Sequence, residues 1–162
     1  MADTREPPAS VITEEMRAAI GVESEPIVVE VDKAACRLFA RALGYSDLLY
    51  YDEDFAKAKG YRSILAPPCF LGQPVFGPDR SDPFWGSYFR FRAYKRLLNG
   101  GTDVEYFDTI CAGDELTLTS KLADLRERVG SLGPMLITVT EWTYRNHEGK
   151  LVAILRGTGI QY

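Results

Sequence analysis

From Gly101 onward the chain reads as strand after strand, and that half limits what the rest can be. Thr102 to Ile110 alternates moderately, and Cys111-Ala112-Gly113-Asp114 makes a turn. Leu116 to Leu122 alternates apolar and polar residues with a period of two, and the pattern continues toward Arg128. Gly130, Gly133 and Pro134 mark a reversal, after which Met135 to Tyr144 is a second long strand. Asn146-His147-Glu148-Gly149 has the composition of a hairpin turn, and Lys150 to Tyr162 is the closing strand. Helical patterns precede this run, so the order is that of an α+β fold.

Upstream, Ile12, Met16, Ala19 and Ile20 give Val11 to Ile20 one apolar side. Thr13 can cap that helix, with Glu14 and Glu15 in a first turn whose dipole favours acids. Gly21 and Glu23-Ser24-Glu25-Pro26 end it, and the β-branched Ile27-Val28-Val29-Glu30-Val31 predicts a strand. Asp32 caps a second helix through Leu43, with Ala35, Leu38, Phe39 and Ala42 on its stripe and Gly44 at its stop. A short helix is expected near Glu53 to Lys59. In the apolar stretch Ile64 to Phe76, Pro67, Pro68 and Pro74 prevent one long regular helix. Gly77 to Gly101 is irregular and dense in aromatic and basic residues, with a turn or two of helix near Arg92 to Leu98.

Composition excludes several classes. At 162 residues this is a single domain over residues 11–162, behind a polar lead-in at 1–10 that reads as disordered. A net charge of −4 and a pI near 5.1 leave no footprint for nucleic acid, and no apolar run is long enough to span a bilayer. Cys36, Cys69 and Cys111 are odd in number and widely separated, which suits a reducing cytoplasm rather than a disulfide framework. Cys69 is expected to behave as a small buried hydrophobe, because no histidine lies near it in sequence to activate it as a nucleophile. One histidine and no paired cysteines argue against a metal site. No Gly-rich phosphate loop occurs, because Gly100-Gly101 leads into a strand.

One segment carries a resemblance. Gly44-Tyr45-Ser46-Asp47-Leu48-Leu49-Tyr50-Tyr51-Asp52-Glu53-Asp54-Phe55-Ala56 resembles the hydratase motif of the MaoC-like (R)-specific enoyl-CoA hydratases and hydroxyacyl dehydratases. That motif runs Gly-Asp-x-Asn-Pro-aliphatic-His-x-Asp, then Phe-Ala after two residues. Gly44, Asp52, Phe55 and Ala56 match it. Asp47 stands at the Asn position and Leu48 at the Pro position, while Tyr45 and Tyr50 replace the catalytic Asp and His. A tyrosine's ordinary pKa of about 10, against about 6.5 for histidine, takes position 50 away from the working pH of a general acid or base.

Ala66-Pro67-Pro68 is similar to the non-catalytic halves of that family, where the catalytic members commonly carry His-Gly. Downstream, Gly100-Gly101, Gly113-Asp114, Gly130 with Gly133, Glu141 with Tyr144, and Gly149 before Val152-Ala153 resemble the FAS1-like dehydratase halves in order and spacing. The likeness spans residues 26 to 162. It implies a hot-dog fold, an antiparallel sheet wrapped around a central helix, here interrupted by proline.

The candidate site residues carry paired readings. Tyr45 and Tyr50 either touch substrate or fill space. Asp47 and Tyr50 form a surrogate acid/base pair, or Asp47 bonds its local backbone. By resemblance, Asp47, Tyr50, Pro67, Cys69, Phe70, Phe84 and Trp85 line the acyl site. Arg90, Arg92, Lys95 and Arg96 are candidates for coenzyme A phosphates, a role suited to Arg's planar donors, or belong to a subunit interface. His147, in a polar turn, is read as solvated rather than catalytic.

The resemblance implies a subunit of a heteromeric enoyl-CoA hydratase or (3R)-hydroxyacyl-thioester dehydratase, a hydro-lyase of fatty acid metabolism. This chain supplies acyl-binding surface, and a catalytic MaoC-like hot-dog partner keeps the Asp and His. No separate cofactor is implied; coenzyme A or carrier phosphopantetheine arrives as part of the substrate. The alternatives are a homodimeric hot-dog thioesterase using Asp47, Asp52 or Glu53, and a non-enzymatic acyl-thioester or small-ligand binder.

Overall fold

The β-branched and alternating segments pair into one sheet. The computed structural model describes residues 10–75, 91–131 and 133–162. In chain order the elements are α1 (Glu14–Ala18), β1 (Ile27–Glu30), α2 (Lys33–Ala42), a 3-10 turn (Leu48–Tyr50) and α3 (Glu53–Ala58). The strands β2 (Gln73–Pro74), β3 (Leu97–Tyr106), β4 (Glu115–Gly130), β5 (Gly133–Arg145) and β6 (Leu151–Gln161) follow. The six strands form an antiparallel sheet in the order β2-β1-β4-β5-β6-β3. Phe84, Trp85 and Arg90, and the lead-in before Ser10, lie outside the described residues.

Local chemistry sets the boundaries. The side chains of Thr13 and Asp32 accept from Met16 N–H at 3.2 Å and Ala35 N–H at 2.7 Å, capping α1 and α2. Gly44 leaves α2 at φ +76°, a conformation that costs glycine little. At the Gly113-Asp114 turn the Asp114 carboxylate accepts from Cys111 N–H at 2.9 Å and grips Arg62 through both oxygens, at 2.8 and 2.7 Å.

Two expectations change. Between Gly60 and Val75 the described chain forms no helix. Leu65 bridges Cys111, Pro67 to Phe70 closes a turn, and Gln73–Pro74 pairs with Val29 and Glu30 as an edge strand. The missing proline N–H groups explain this, and the edge is where a strand tolerates proline. The helix expected near Arg92 to Leu98 is instead a bend running into β3, which pairs with β6 from Leu97↔Gln161 onward. Gln161 decides it. Its buried amide accepts from Ala93 N–H at 2.9 Å and donates to Phe91 O at 2.8 Å, tying the incoming chain to the end of β6.

One face of the sheet carries the core, in two parts. The larger joins Val29, Leu116, Leu118, Trp142, Tyr144 and Val152 to Cys36 of α2 and to Ile64, Phe70 and Leu71. The smaller gathers Met16, Leu125 and Leu136, with Val11, Ile12 and Tyr94 against them. The opposite face carries linked charges across four strands: Lys121–Glu141 at 2.9 Å, Arg156–Glu141 at 2.7 Å and Arg156–Glu105 at 3.6 Å. The bond from Lys121, with a smaller share from Arg156, holds the Glu141 carboxyl below its usual range. At the sheet's rim β3 pairs, among the described residues, with β6 alone, and it is exposed along most of its length.

Candidate functional site

The motif loop is built by its own short-range bonds. Asp47 accepts from Leu49 N–H at 2.9 Å and so caps the 3-10 turn, and Asp52 accepts from Phe55 N–H at 3.0 Å to cap α3. Asp47 is thus bonded to its local backbone. Glu53 pairs with Lys33 and, at 2.8 Å, with Lys57, which together hold its carboxyl down at about 2. Arg37 donates to Tyr51 O from Nε and Nη2 at 3.2 and 2.9 Å, and the Tyr51 hydroxyl donates to Tyr45 O at 2.6 Å. The Tyr45 and Tyr50 rings stack, centroids 5.5 Å apart at 26°. Two aromatic rings in contact thus occupy the two positions where the resembled motif places Asp and His.

A second segment meets this loop. Leu65 N–H donates to Leu49 O, and Ala66 N–H to Ile110 O, each at 2.9 Å. Pro67 is fully buried, and Phe70 packs in the core against Phe39, centroids 5.5 Å apart. Cys69 departs from its expected burial. It is exposed at φ +70°, and its N–H donates to the Tyr106 hydroxyl at 2.7 Å. The turn made by the two prolines, fixed by that bond, leaves its side chain no way into the core. Cys36 and Cys111 are buried, and burial, then Asp32, pushes the Cys36 thiol up to about 11.

Tyr106 is a residue that sequence reading did not single out. It ends β3 opposite Ala153, and only that register brings it to the Cys69 turn. Burial raises its phenol, against the opposing bond from Cys69 N–H. Burial also raises Tyr50, followed by the influence of Tyr45 and Asp47, and raises Tyr144 strongly, followed by that of Tyr106. These phenols stay protonated at neutral pH. The patch therefore offers neutral hydroxyls and ring faces, suited to holding an uncharged carbonyl or an acyl chain.

The phosphate candidates lie elsewhere. Arg92, Lys95 and Arg96 are exposed before β3; Arg92 Nη2 approaches Lys95 O at 3.4 Å, and the Arg96 guanidinium sits 5.7 Å from the Tyr162 ring. Tyr106 is at the far end of that strand, about 30 Å from Arg96 at the usual rise per residue. The structure brings Tyr45, Tyr50, Cys69 and Tyr106 together and leaves those cations apart. His147 is exposed on the β5–β6 turn, 3.9 Å from Glu148, as a solvated turn residue would be.

The strained Cys69 gives a direct check. Replacing Cys69 with glycine should raise stability by about 1 kcal/mol, because a left-handed backbone costs an L-residue roughly 1–2 kcal/mol. A denaturant midpoint that rises with unchanged slope is the expected readout, and a lower midpoint would refute the strain.

Residues 18–155 match the family model of the FAS1-like dehydratase domain region. The chain belongs to this family. A UPF0336 protein of Parafrankia sp. is 32% identical to this FAS1-like dehydratase chain over 127 residues, covering 76% of this chain and 78% of the relative. In structure, the C-terminally truncated HadBC (3R-hydroxyacyl-ACP dehydratase) complex of Mycobacterium tuberculosis superposes with a TM-score of 0.69 at 23% identity, covering 88% of this chain and 96% of the neighbour's. The ChsH1–ChsH2 complex of the same organism gives 0.68 at 18% identity, covering 91% and 87%. At these identities the neighbours show the fold, which for this FAS1-like dehydratase chain is the hot-dog. Among the described residues no helix is long and apolar enough to cross a membrane.

Proposed function

We propose that this chain is the non-catalytic subunit of a heteromeric MaoC-like enoyl-CoA hydratase or (3R)-hydroxyacyl-thioester dehydratase, working in the cytoplasm. The observation that carries this reading is a motif frame kept at four positions without its acid/base pair. Gly44, Asp52, Phe55 and Ala56 hold their places while Tyr45 and Tyr50 stack where Asp and His belong. A partner hot-dog subunit supplies the acid and base that add water across a 2-enoyl thioester, oxygen to C3 and proton to C2. This chain contributes the neutral surface of Tyr45, Tyr50 and Tyr106, and the thioester's coenzyme A or carrier arm comes with the substrate. Two further observations support a partner: both neighbours named above are complexes of two different chains, and among the described residues β3 is paired on one side only. Leu98, Tyr106 and Phe107 are large side chains exposed at that rim. Unpaired strand edges are templates for another chain.

The thioesterase alternative draws no support from the loop, because Asp47 and Asp52 hold backbone amides and Glu53 is paired with two lysines. The test is to purify the tagged chain from its host and assay 2-enoyl-CoA hydration with and without what accompanies it. The expected result is a hot-dog partner bearing Asp and His. Activity should fall by roughly 10²–10⁴ when this chain is assayed alone, the share general acid–base catalysis commonly supplies. Equal turnover by the isolated chain would overturn the reading.

A further inference from the structure

The charges on the outer face of the sheet are in register from strand to strand. Lys121 of β4 stands opposite Glu141 of β5, Glu141 opposite Arg156 of β6, and Arg156 opposite Asp103 of β3. Their signs therefore alternate across four neighbouring strands. Side chains opposed in this way attract when their charges differ and repel when they match. Away from the rim the bonds follow the pattern, Lys121–Glu141 at 2.9 Å and Arg156–Glu141 at 2.7 Å. At the rim the same Arg156 also reaches Glu105 at 3.6 Å. Two exposed acids of β3, Asp103 and Glu105, thus share a cation that is already bonded to Glu141.

The row is short of positive charge where it ends. Lys121 and Arg156 answer Glu141, Asp103 and Glu105, and β3 has no lysine or arginine from Leu97 to Tyr106. A second copy of this chain cannot supply the charge from that strand. Laid antiparallel with all ten residues overlapping, it sets Gly100 opposite Asp103 and Leu98 opposite Glu105. The nearest cation, Arg96, lies just outside the strand, on the far side of the bulge at Asn99–Gly101, with its guanidinium 5.7 Å from the Tyr162 ring.

We infer that β3 takes an edge strand of a different chain, one that carries a lysine or arginine directly opposite Asp103 and so extends the alternation by one strand. The inference rests on the heteromeric reading above and specifies its partner. Backbone groups of the rim hold any added strand, whereas a facing charge decides which strand is admitted. Asp103 is the selecting residue. It admits a basic strand and turns away an acidic one, this chain's own β3 included.

The test measures, by sedimentation, the dissociation of the complex that the tagged full chain forms with its partner from the host, at low and at high salt. Asp103→Asn should weaken the complex roughly two- to fivefold, the range of one cross-strand charge pair, and Asp103→Arg about tenfold. Both differences should shrink at high salt, because exposed charges are screened. Exchanging the partner's facing lysine or arginine for glutamate should restore the Asp103→Arg complex, which a merely misfolded variant could not do. Glu148→Arg, a reversal on the β5–β6 turn, should leave dissociation unchanged. Undiminished association of the Asp103→Arg chain, no restoration by the exchanged pair, or recovery of a homodimer in place of the heteromer would each overturn the inference. The heteromeric reading is judged separately: 2-enoyl-CoA hydration by the complex and not by the isolated chain keeps it, and equal turnover by the isolated chain removes it.

Discussion

Cutting Ile64 back to alanine should cost the fold about 2–5 kcal/mol, the range for removing a buried aliphatic side chain that leaves a cavity. Ile64 is fully buried in the larger core cluster, between α2 and the sheet. Its carbonyl accepts from Ala112 N–H at 2.9 Å, and the next residue donates to Leu49 O at the same distance. The side chain therefore sits where the motif loop, the proline turn and the Gly113-Asp114 turn converge, and the void cannot close without moving one of them. Urea unfolding should show a lowered midpoint with an unchanged slope. Leu38→Ala, at a position 67% exposed, should stay within about 0.5 kcal/mol. A loss below 1 kcal/mol at Ile64 would mean that this junction collapses freely and does not set the site.

Gly157→Ala should also be destabilising, by about 1–3 kcal/mol, the cost of overpacking a filled core. A methyl group built on Gly157 would stand 2.9 Å from Cζ3 and 3.2 Å from Cη2 of Trp142. Trp142 is 4% exposed in the larger core cluster, and a rigid planar ring cannot yield at its far end as a flexible chain can. The sign makes this informative. In an open strand the same change should help by roughly 0.5–1 kcal/mol, since glycine loses more freedom on folding. Thermal unfolding with near-ultraviolet dichroism of the indole would decide it, and a more stable Gly157→Ala protein would falsify the contact.

The strands and their turns were legible because alternation and glycine placement act locally. The same holds for α2 between Asp32 and Gly44, and for the capping of α3 by Asp52. What escaped was decided at a distance. Nothing near Arg92 foretells that Gln161, far along the chain, ties down residues 91–94. Cys69 has the composition of a core residue, and its exposure follows from a left-handed turn tied to Tyr106. Tyr106 itself becomes a site residue only through the pairing of β3 with β6. The motif frame marked positions 45 and 50, but not that the two rings stack, and Pro67 and Phe70 are buried.

The charged row on the outer face bears on how such a sheet can grow. Lys121, Glu141, Arg156 and Glu105 are tied to one another across β4, β5, β6 and β3. A flat surface laid over them would strip their water, and that penalty is recovered only by a partner whose charges match in place. Such a face repels casual stacking, whereas the rim asks a newcomer for backbone amides and carbonyls. Assembly is thereby steered into one dimension, extending the strands side by side and keeping the broad outer surface wet.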